Sequence, residues 1–370
     1  HTGAQNNLGI LHNQGGNNQK AFRCYEKVIQ INPNHVDAYN NLGNILKKMG
    51  KNQKAIVCYK KAIQINPNHI NANNNLGALF NELGNHQEAM NYYDKVIKID
   101  PDNLASHWLS MNNFPVVYKN LEEIDHYSKR FENSIKKINK LIDKRSNFTK
   151  QTFINAISSS TNFYLHYQGK DVLESQKDYA GLVERITQNF YEKFHKKRKK
   201  ETSSQYFKIG FVSSFFRKHT VTKLFKNWIF KLDEKKFKKY VYYSDNEFDD
   251  ITDKLKQEAD YFYYHTNVDQ LINVISQDNL DVLIYLDIGM SPIIQILSSL
   301  RLAPIQCNTW GHPITSGFKN IDYYLSGELM EDKNSQQHYS EKLISLPGLG
   351  INYDLPNLSR IKKMNILKKS

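Results

Sequence analysis

The amino-terminal part of the chain repeats one arrangement of apolar, small and polar positions every 34 residues. Leu8-Gly9, Leu42-Gly43 and Leu76-Gly77 stand in register, followed by Gly16, Gly50 and Gly84, then Ala21, Ala55 and Ala89. Tyr25, Tyr59 and Tyr93, and finally Pro33, Pro67 and Pro101, complete the columns with no slip in spacing. This predicts stacked pairs of helices, because one pair cannot bury its apolar face alone. After Pro101 the pattern fades into a shorter capping unit around residues 104–113.

From residue 107 to about 194 the reading is helical, with apolar positions at three- and four-residue spacing through 127–142 and 172–190. Between these lies Asn162-Phe163-Tyr164-Leu165-His166-Tyr167-Gln168-Gly169, which reads as a core segment of an interdomain layer. Residues 196–204 break the pattern and mark a boundary. Strands and helices then alternate. Strands are predicted at 207–213, 239–244, 261–264, 281–286, 305–309 and 323–326, and helices at 221–232, 249–260, 268–277 and near 292–300. Continuous apolar strands between helices imply a parallel sheet covered on both faces. Ligands of such sheets gather at the carboxyl ends of the strands, which singles out residues 213–219, 287–291 and 310–317.

The 34-residue unit is the signature of the tetratricopeptide helix-turn-helix. Gly9, Gly43 and Gly77 sit where its two helices cross, and Gly16, Gly50 and Gly84 lie at turns that favour positive φ. The alanines are small contacts on the second helix, the tyrosines are expected to fill the gap between neighbouring units, and the prolines stop the second helix. The first unit starts partway through its first helix, so the chain is expected to begin inside a longer array. Asn7, Asn41 and Asn75 each precede a Leu-Gly pair, on the helix lining the inner face of such a superhelix. Two readings stand: a solvated face in an asparagine-rich chain, or a ladder gripping extended peptide backbone through amides that both donate and accept.

Composition changes the picture little. At 370 residues the chain holds two or three domains, and its formal charge is +13 with one dense run at 196–200. That run reads as a solvated linker or helix end; without aromatic–basic interleaving or zinc-knuckle spacing, nucleic acid is not an expected partner. Cys24, Cys58 and Cys307 are odd in number and widely spaced, which suggests free thiols in a reducing cytoplasm. With no signal peptide and no apolar run long enough to span a bilayer, a soluble protein is expected, without membrane partners.

The densest candidate segment is Gly311-His312-Pro313-Ile314-Thr315-Ser316-Gly317. Its glycines permit close backbone approach, its hydroxyls suit polar oxygens and its proline fixes the loop. A histidine at a strand end serves structure or catalysis alike. There is no GxGxxG, P-loop, HExxH or Cys/His cluster. The residues alone therefore describe a half-sheet that binds a polar ligand, phosphate- or sugar-bearing.

Several motifs in order narrow this. Ile209-Gly210-Phe211-Val212-Ser213-Ser214 with Lys218-His219, then Ala303-Pro304-Ile305-Gln306-Cys307-Asn308-Thr309-Trp310 running into the Gly311–Gly317 segment, Ile321-Asp322-Tyr323-Tyr324, and Tyr339-Ser340-Glu341-Lys342-Leu343 closely resemble the catalytic region of the O-GlcNAc transferase and SPINDLY-like family. Residues 162–169 also resemble the helical connection of its bacterial members. The resemblance implies tetratricopeptide repeats joined to a two-lobed GT-B glycosyltransferase. It implies sugar transfer from a nucleotide-sugar donor, UDP-GlcNAc being the expected one, to Ser or Thr of proteins, with inversion and with neither metal nor cofactor.

His219 matches the family's active-site histidine, considered there as a base. Gly311, Pro313, Thr315, Ser316 and Gly317 match the loop beside the donor sugar. His312 replaces an aromatic residue and Ile314 a glycine, which bears on the loop's conformation and sugar preference. Asn7, Asn41 and Asn75 match the family's acceptor-binding ladder, so protein or peptide acceptors are expected along the repeat arm. The expected fold is an α-solenoid plus an α/β lobe: repeats at 1–113, a helical connector at 114–204, an amino-terminal Rossmann-like lobe at 205–350, and at 351–370 a tail or the start of a second lobe. That second lobe, which in the family holds the donor diphosphate, does not follow before Ser370. The chain alone is thus expected to be a fragment or truncated member with little activity; the alternative is a catalytically inactive scaffold for protein partners.

Overall fold

The computed structural model describes residues 1–145, 148–198 and 205–352. Three helix pairs form the arm: α1 (Thr2–Gln14) with α2 (Asn18–Ile31), α3 (Val36–Lys48) with α4 (Asn52–Ile65), and α5 (Ile70–Glu82) with α6 (His86–Ile99). Gly16, Gly50 and Gly84 turn between the helices of each pair with φ of 74°, 70° and 81°. His35 and His69, two residues beyond the stop prolines, cap α3 and α5 by accepting the amides of Ala38 and Ala72 through Nδ1.

Each tyrosine ring lies on the Leu-Gly glycine of its own unit: a Cβ on Gly9, Gly43 or Gly77 would come within 2.6, 2.5 or 2.6 Å of Tyr25, Tyr59 or Tyr93 Cε1. The ring fills the space that the missing side chain opens, which is why both columns recur together.

The cap is α7 (Leu104–Met111), followed by α8 (Leu121–Lys144), α9 (Lys150–Ile157), a 3-10 turn (Phe163–Gln168) and α10 (Leu173–Tyr191). Strands and helices then alternate as β1 (Phe207–Ser213), α11 (Thr220–Phe230), β2 (Phe237–Tyr243), α12 (Asp250–Glu258), β3 (Tyr261–Tyr264), α13 (Val268–Gln277), β4 (Val282–Tyr285), α14 (Pro292–Ser298), β5 (Ile305–Thr309), β6 (Tyr323–Gly327) and β7 (Lys342–Leu346). All pair in parallel, in the order β3-β2-β1-β4-β5-β6-β7. The predicted series ended at β6. Strand β7 escaped prediction because it is a half-exposed edge strand with no continuous apolar run.

One apolar core runs from the cap through the connector into one face of the sheet, joining Trp108, Phe131 and Tyr179 with Tyr242, Leu283 and Tyr285. Inside it, Tyr179 Oη donates to Gln295 Oε1 at 2.9 Å, and Asn162 Nδ2 donates to Gln176 Oε1 at 2.6 Å. Phe211, Phe225, Val241 and Leu286 form a second core on the opposite face. The boundary predicted at 196–204 lies largely outside the described residues, as do residues 353–370. The three cysteines are unpaired, and among the described residues no helix is long and apolar enough to cross a membrane.

The glycine–tyrosine contact yields a test. Gly43→Ala forces a Cβ into a fully buried ring and is expected to cost about 1–3 kcal/mol in denaturant unfolding. Gly3→Ala, with open space around the new methyl and better helix propensity, is expected to be neutral or mildly stabilising in the same measurement.

Candidate functional site

The strand order reverses between β1 and β4, so the loops leaving these strands and β5 open a crevice at the carboxyl edge of the sheet. The three segments expected from sequence meet there.

After β1, Ser213 Oγ accepts the Phe215 amide at 2.9 Å, turning the chain sharply. Arg217 donates to Ser214 O at 3.0 Å and pairs with Asp245 and Glu247. His219 ends the turn as the cap of α11: its Nδ1 accepts the Val221 amide at 3.2 Å, and its ring stacks on Phe215 with centroids 4.1 Å apart. Burial, helped by the Arg217 guanidinium, holds its imidazole below the ordinary histidine value. It lines a cavity of about 480 Å³ with Lys218, Thr220, Lys223, Lys226 and Ile251.

After β4 stands Asp287, fully buried, whose Oδ2 accepts the Ser214 amide at 3.1 Å and whose Oδ1 has no hydrogen-bond partner. Burial pushes this carboxyl up to about 7, against the amide that favours its charged form. Sequence reasoning named the 287–291 segment, which begins with this residue, but gave the carboxyl no role of its own; a lone carboxyl closing an apolar strand was the available signal.

The loop after β5 is clasped from both sides. Gly311 passes so close to β4's exit that a Cβ would lie 1.9 Å from Leu286 O. Gly317 has φ of 75°, and a Cβ there would lie 2.4 Å from Gln176 O in α10. Between them His312 is 1% exposed, stacked on Phe163 and 3.0 Å from His166 Nδ1, while Tyr324 Oη donates to its carbonyl at 3.1 Å. Burial, then the neighbouring His166, pushes the His312 imidazole down to about 3. Ile314 is not among the positive-φ residues, so the loop accommodates it without a glycine's freedom.

The hydroxyls expected to face ligand are turned inward. Thr315 Oγ1 donates to Glu341 Oε2 at 2.6 Å, the Ser316 amide donates to Glu341 Oε1 at 2.8 Å, and Ser316 Oγ accepts the Phe318 amide at 3.3 Å. Glu341, 2% exposed, is thus the loop's anchor. Its motif was visible in the sequence, but nothing there revealed its reach back from β7. Pro313, Ile314 and Thr315 line a second cavity of about 280 Å³ with Lys170, His338 and Tyr339, distinct from the one that His219 lines.

On the arm, Asn7 is exposed and Asn41 and Asn75 are half-buried. Asn41 Nδ2 donates to Asn6 Oδ1 at 3.2 Å, Asn40 Nδ2 to Asn41 Oδ1 at 3.3 Å, and Asn75 Nδ2 to Asn40 Oδ1 at 2.9 Å. A polar ladder therefore links successive units, with Asn6 and Asn40 as rungs absent from the sequence reading. Each amide of Asn41 and Asn75 still has a second hydrogen and a further lone pair for a ligand.

An arm of stacked helix pairs fused through one core to a doubly wound sheet, with closely held loops at its switch point, defines a repeat-bearing α/β protein. Residues 127–354 match Glycosyl transferase family 41, and residues 9–50, 36–69 and 70–103 match tetratricopeptide repeats. The chain belongs to glycosyl transferase family 41.

Among its relatives are a probable UDP-N-acetylglucosamine–peptide N-acetylglucosaminyltransferase SEC of Arabidopsis thaliana, 28% identical over 40% of this chain and 16% of that protein. Another is the UDP-N-acetylglucosamine–peptide N-acetylglucosaminyltransferase of Caenorhabditis elegans, 27% identical over 41% of this chain and 14% of that one. A solved mutant O-GlcNAc transferase of Thermobaculum terrenum shares the fold over 96% of this chain and 59% of its own, with a TM-score of 0.66 at 16% identity. The chain thus spans only part of the proteins it matches.

The buried His312 makes stability depend on pH. Its folded value lies below the ordinary 6.5, so between 6.5 and about 3 the unfolded chain binds more protons. The stability it contributes is complete above 6.5 and is lost as pH falls through that window. Thermal midpoints are expected to drop from pH 7.5 to 5.0, and to drop less in His312→Phe. The remaining slope is the balance of other histidines held low by burial, such as His107 and His166, and of the buried Asp287, whose raised value works in the opposite sense as pH falls below about 7. Equal slopes in the two proteins would count against this burial cost.

Proposed function

We propose that the protein transfers a sugar from a nucleotide-sugar donor, UDP-GlcNAc in the first instance, to Ser or Thr hydroxyls of other proteins. Inversion at the anomeric carbon, independence of metal and cofactor, and a cytoplasmic location belong to the same reading. The observation that carries it is the family 41 match joined to the repeat arm by a shared core, the arm's cap, the connector and the sheet packing as one body.

In this reading Asn7, Asn41 and Asn75 hold acceptor backbone through the hydrogen-bonding capacity their ladder leaves open. The Gly311–Gly317 loop offers backbone and the ring of Pro313 to the sugar, and the Glu341 anchor keeps that surface rigid, so its geometry is set before ligand arrives. Thr315 and Ser316 shape the loop instead of touching ligand directly. His219 faces the reacting groups from the cavity beside β1.

The test incubates the full-length protein with labelled UDP-GlcNAc, and separately GDP-fucose, together with a Ser/Thr-rich peptide pool. Label in the peptides is expected with UDP-GlcNAc. No label from a folded protein with either donor would refute the transferase and leave a scaffold. His219→Ala is expected to slow transfer about a hundredfold; an unchanged rate would remove it from the active site. Asn41→Ala with Asn75→Ala is expected to raise KM for protein acceptors more than for short peptides, and equal effects would separate the arm from acceptor choice.

A further inference from the structure

Two buried carboxyls hold loops at the carboxyl edge of the sheet, and their surroundings differ. Glu341 meets donors on both oxygens: the Ser316 amide on Oε1, and the Thr315 and Ser340 hydroxyls on Oε2. Asp287, wholly buried, meets the Ser214 amide on Oδ2 at 3.1 Å, and its Oδ1 has no partner. The Ser213 hydroxyl is the other group that bonds it, and no charged side chain acts on it. The titratable groups of the neighbouring loops are engaged elsewhere. Arg217 is turned to Asp245, Glu247 and Ser214 O, His219 to the Val221 amide, and His312 to the connector. A carboxylate in that setting lacks the donors its charge requires, whereas a neutral acid costs far less to bury.

The segment Asp287–Gly289 touches two loops at once. Toward β1, Asp287 holds Ser214, Ser213 Oγ accepts the Phe215 amide at 2.9 Å, and the Phe215 ring stacks on His219. Toward β5, the Ile288 carbonyl bonds the His312 imidazole. Gly289, with φ of 92°, leaves the space that His312 fills: a Cβ there would lie 2.5 Å from His312 Nδ1. The exit of β4 thus ties the turn after β1 to the loop after β5. Asp287 is buried too deeply to touch a ligand, so its leverage is on position.

We propose that Asp287 is a positioning residue held as a neutral carboxylic acid, and that its ionisation loosens the β1 turn carrying Phe215 and His219. Burial raises this carboxyl to about 7, which brings the change within reach of ordinary buffers. Between the usual carboxylate range and about 7 the folded chain keeps a proton that the unfolded chain has released. The stability this proton contributes is therefore complete at low pH and is lost as pH rises through that window. The device depends on no particular ligand, so a failure of sugar transfer leaves it intact.

Carbon-13 labelling of the aspartate carboxyls in the full chain, followed by NMR across a pH series, reads the proton directly. Expected is one carboxyl carbon that titrates near 7, where ordinary aspartates titrate near about 4. That signal is expected to be missing from Asp287→Asn. The Phe215 ring signals are expected to show a step at the same midpoint, and the step to vanish in the same variant. Asp287→Asn keeps an oxygen for the Ser214 amide and carries no charge. It is therefore expected to melt above the parent at pH 8, with the gap narrowing toward pH 5. Asp287→Ala strips the acceptor from that amide and is expected to melt below the parent at pH 5. Aspartate carboxyls that all titrate in the ordinary range would overturn the proposal. So would Phe215 signals unmoved through the step, or an Asn variant that fails to fold or melts below the parent at pH 8.

Discussion

The clasp on the Gly311–Gly317 loop is the contact on which the site depends. At one end Gly311 lies against Leu286 O, at the other Gly317 lies against Gln176 O, and neither approach leaves room for a Cβ. Between them His312 is sandwiched by Phe163 and His166 of the connector and held from the sheet side by Tyr324. The loop thus belongs to two layers at once. Its conformation is set by backbone packing and a buried carboxyl group, so the surface it presents is ordered by the fold itself.

The same clasp explains the buried polar chemistry around it. Asn162, Gln176, Gln295 and Tyr179 bond among themselves inside an otherwise apolar core, where an unpaired polar group would be costly. This network ties α10 and α14 to the turn bearing Phe163. Movement of the connector relative to the sheet would break several of these bonds together, which couples the orientation of the arm to the loop.

Much of this was legible in the sequence because it repeats or alternates. The 34-residue columns announced the arm, and the apolar runs at 207–213, 261–264 and 305–309 became strands within those bounds. What escaped lacked a periodic signal. Strand β7 is a half-exposed edge strand without regular alternation, the tyrosines pair with glycines inside a unit, and Asn6 and Asn40 act through neighbours 35 positions away. Glu341 and Asp287 are single carboxyls whose importance comes from burial, a property of the folded chain and not of their neighbours in sequence. The Thr315 and Ser316 hydroxyls read as ligand groups by residue type alone, and the fold turned the first to Glu341 and the second to the Phe318 amide.

Fragmentation mass spectrometry of an acceptor protein incubated with the full-length protein and UDP-GlcNAc locates the attached sugar residue by residue. N-acetylglucosamine on Ser or Thr hydroxyls, lost when His219 is replaced by Ala in a protein that remains folded, is the predicted result. An acceptor that stays unmodified, or that carries the sugar on residues other than Ser and Thr, would contradict it.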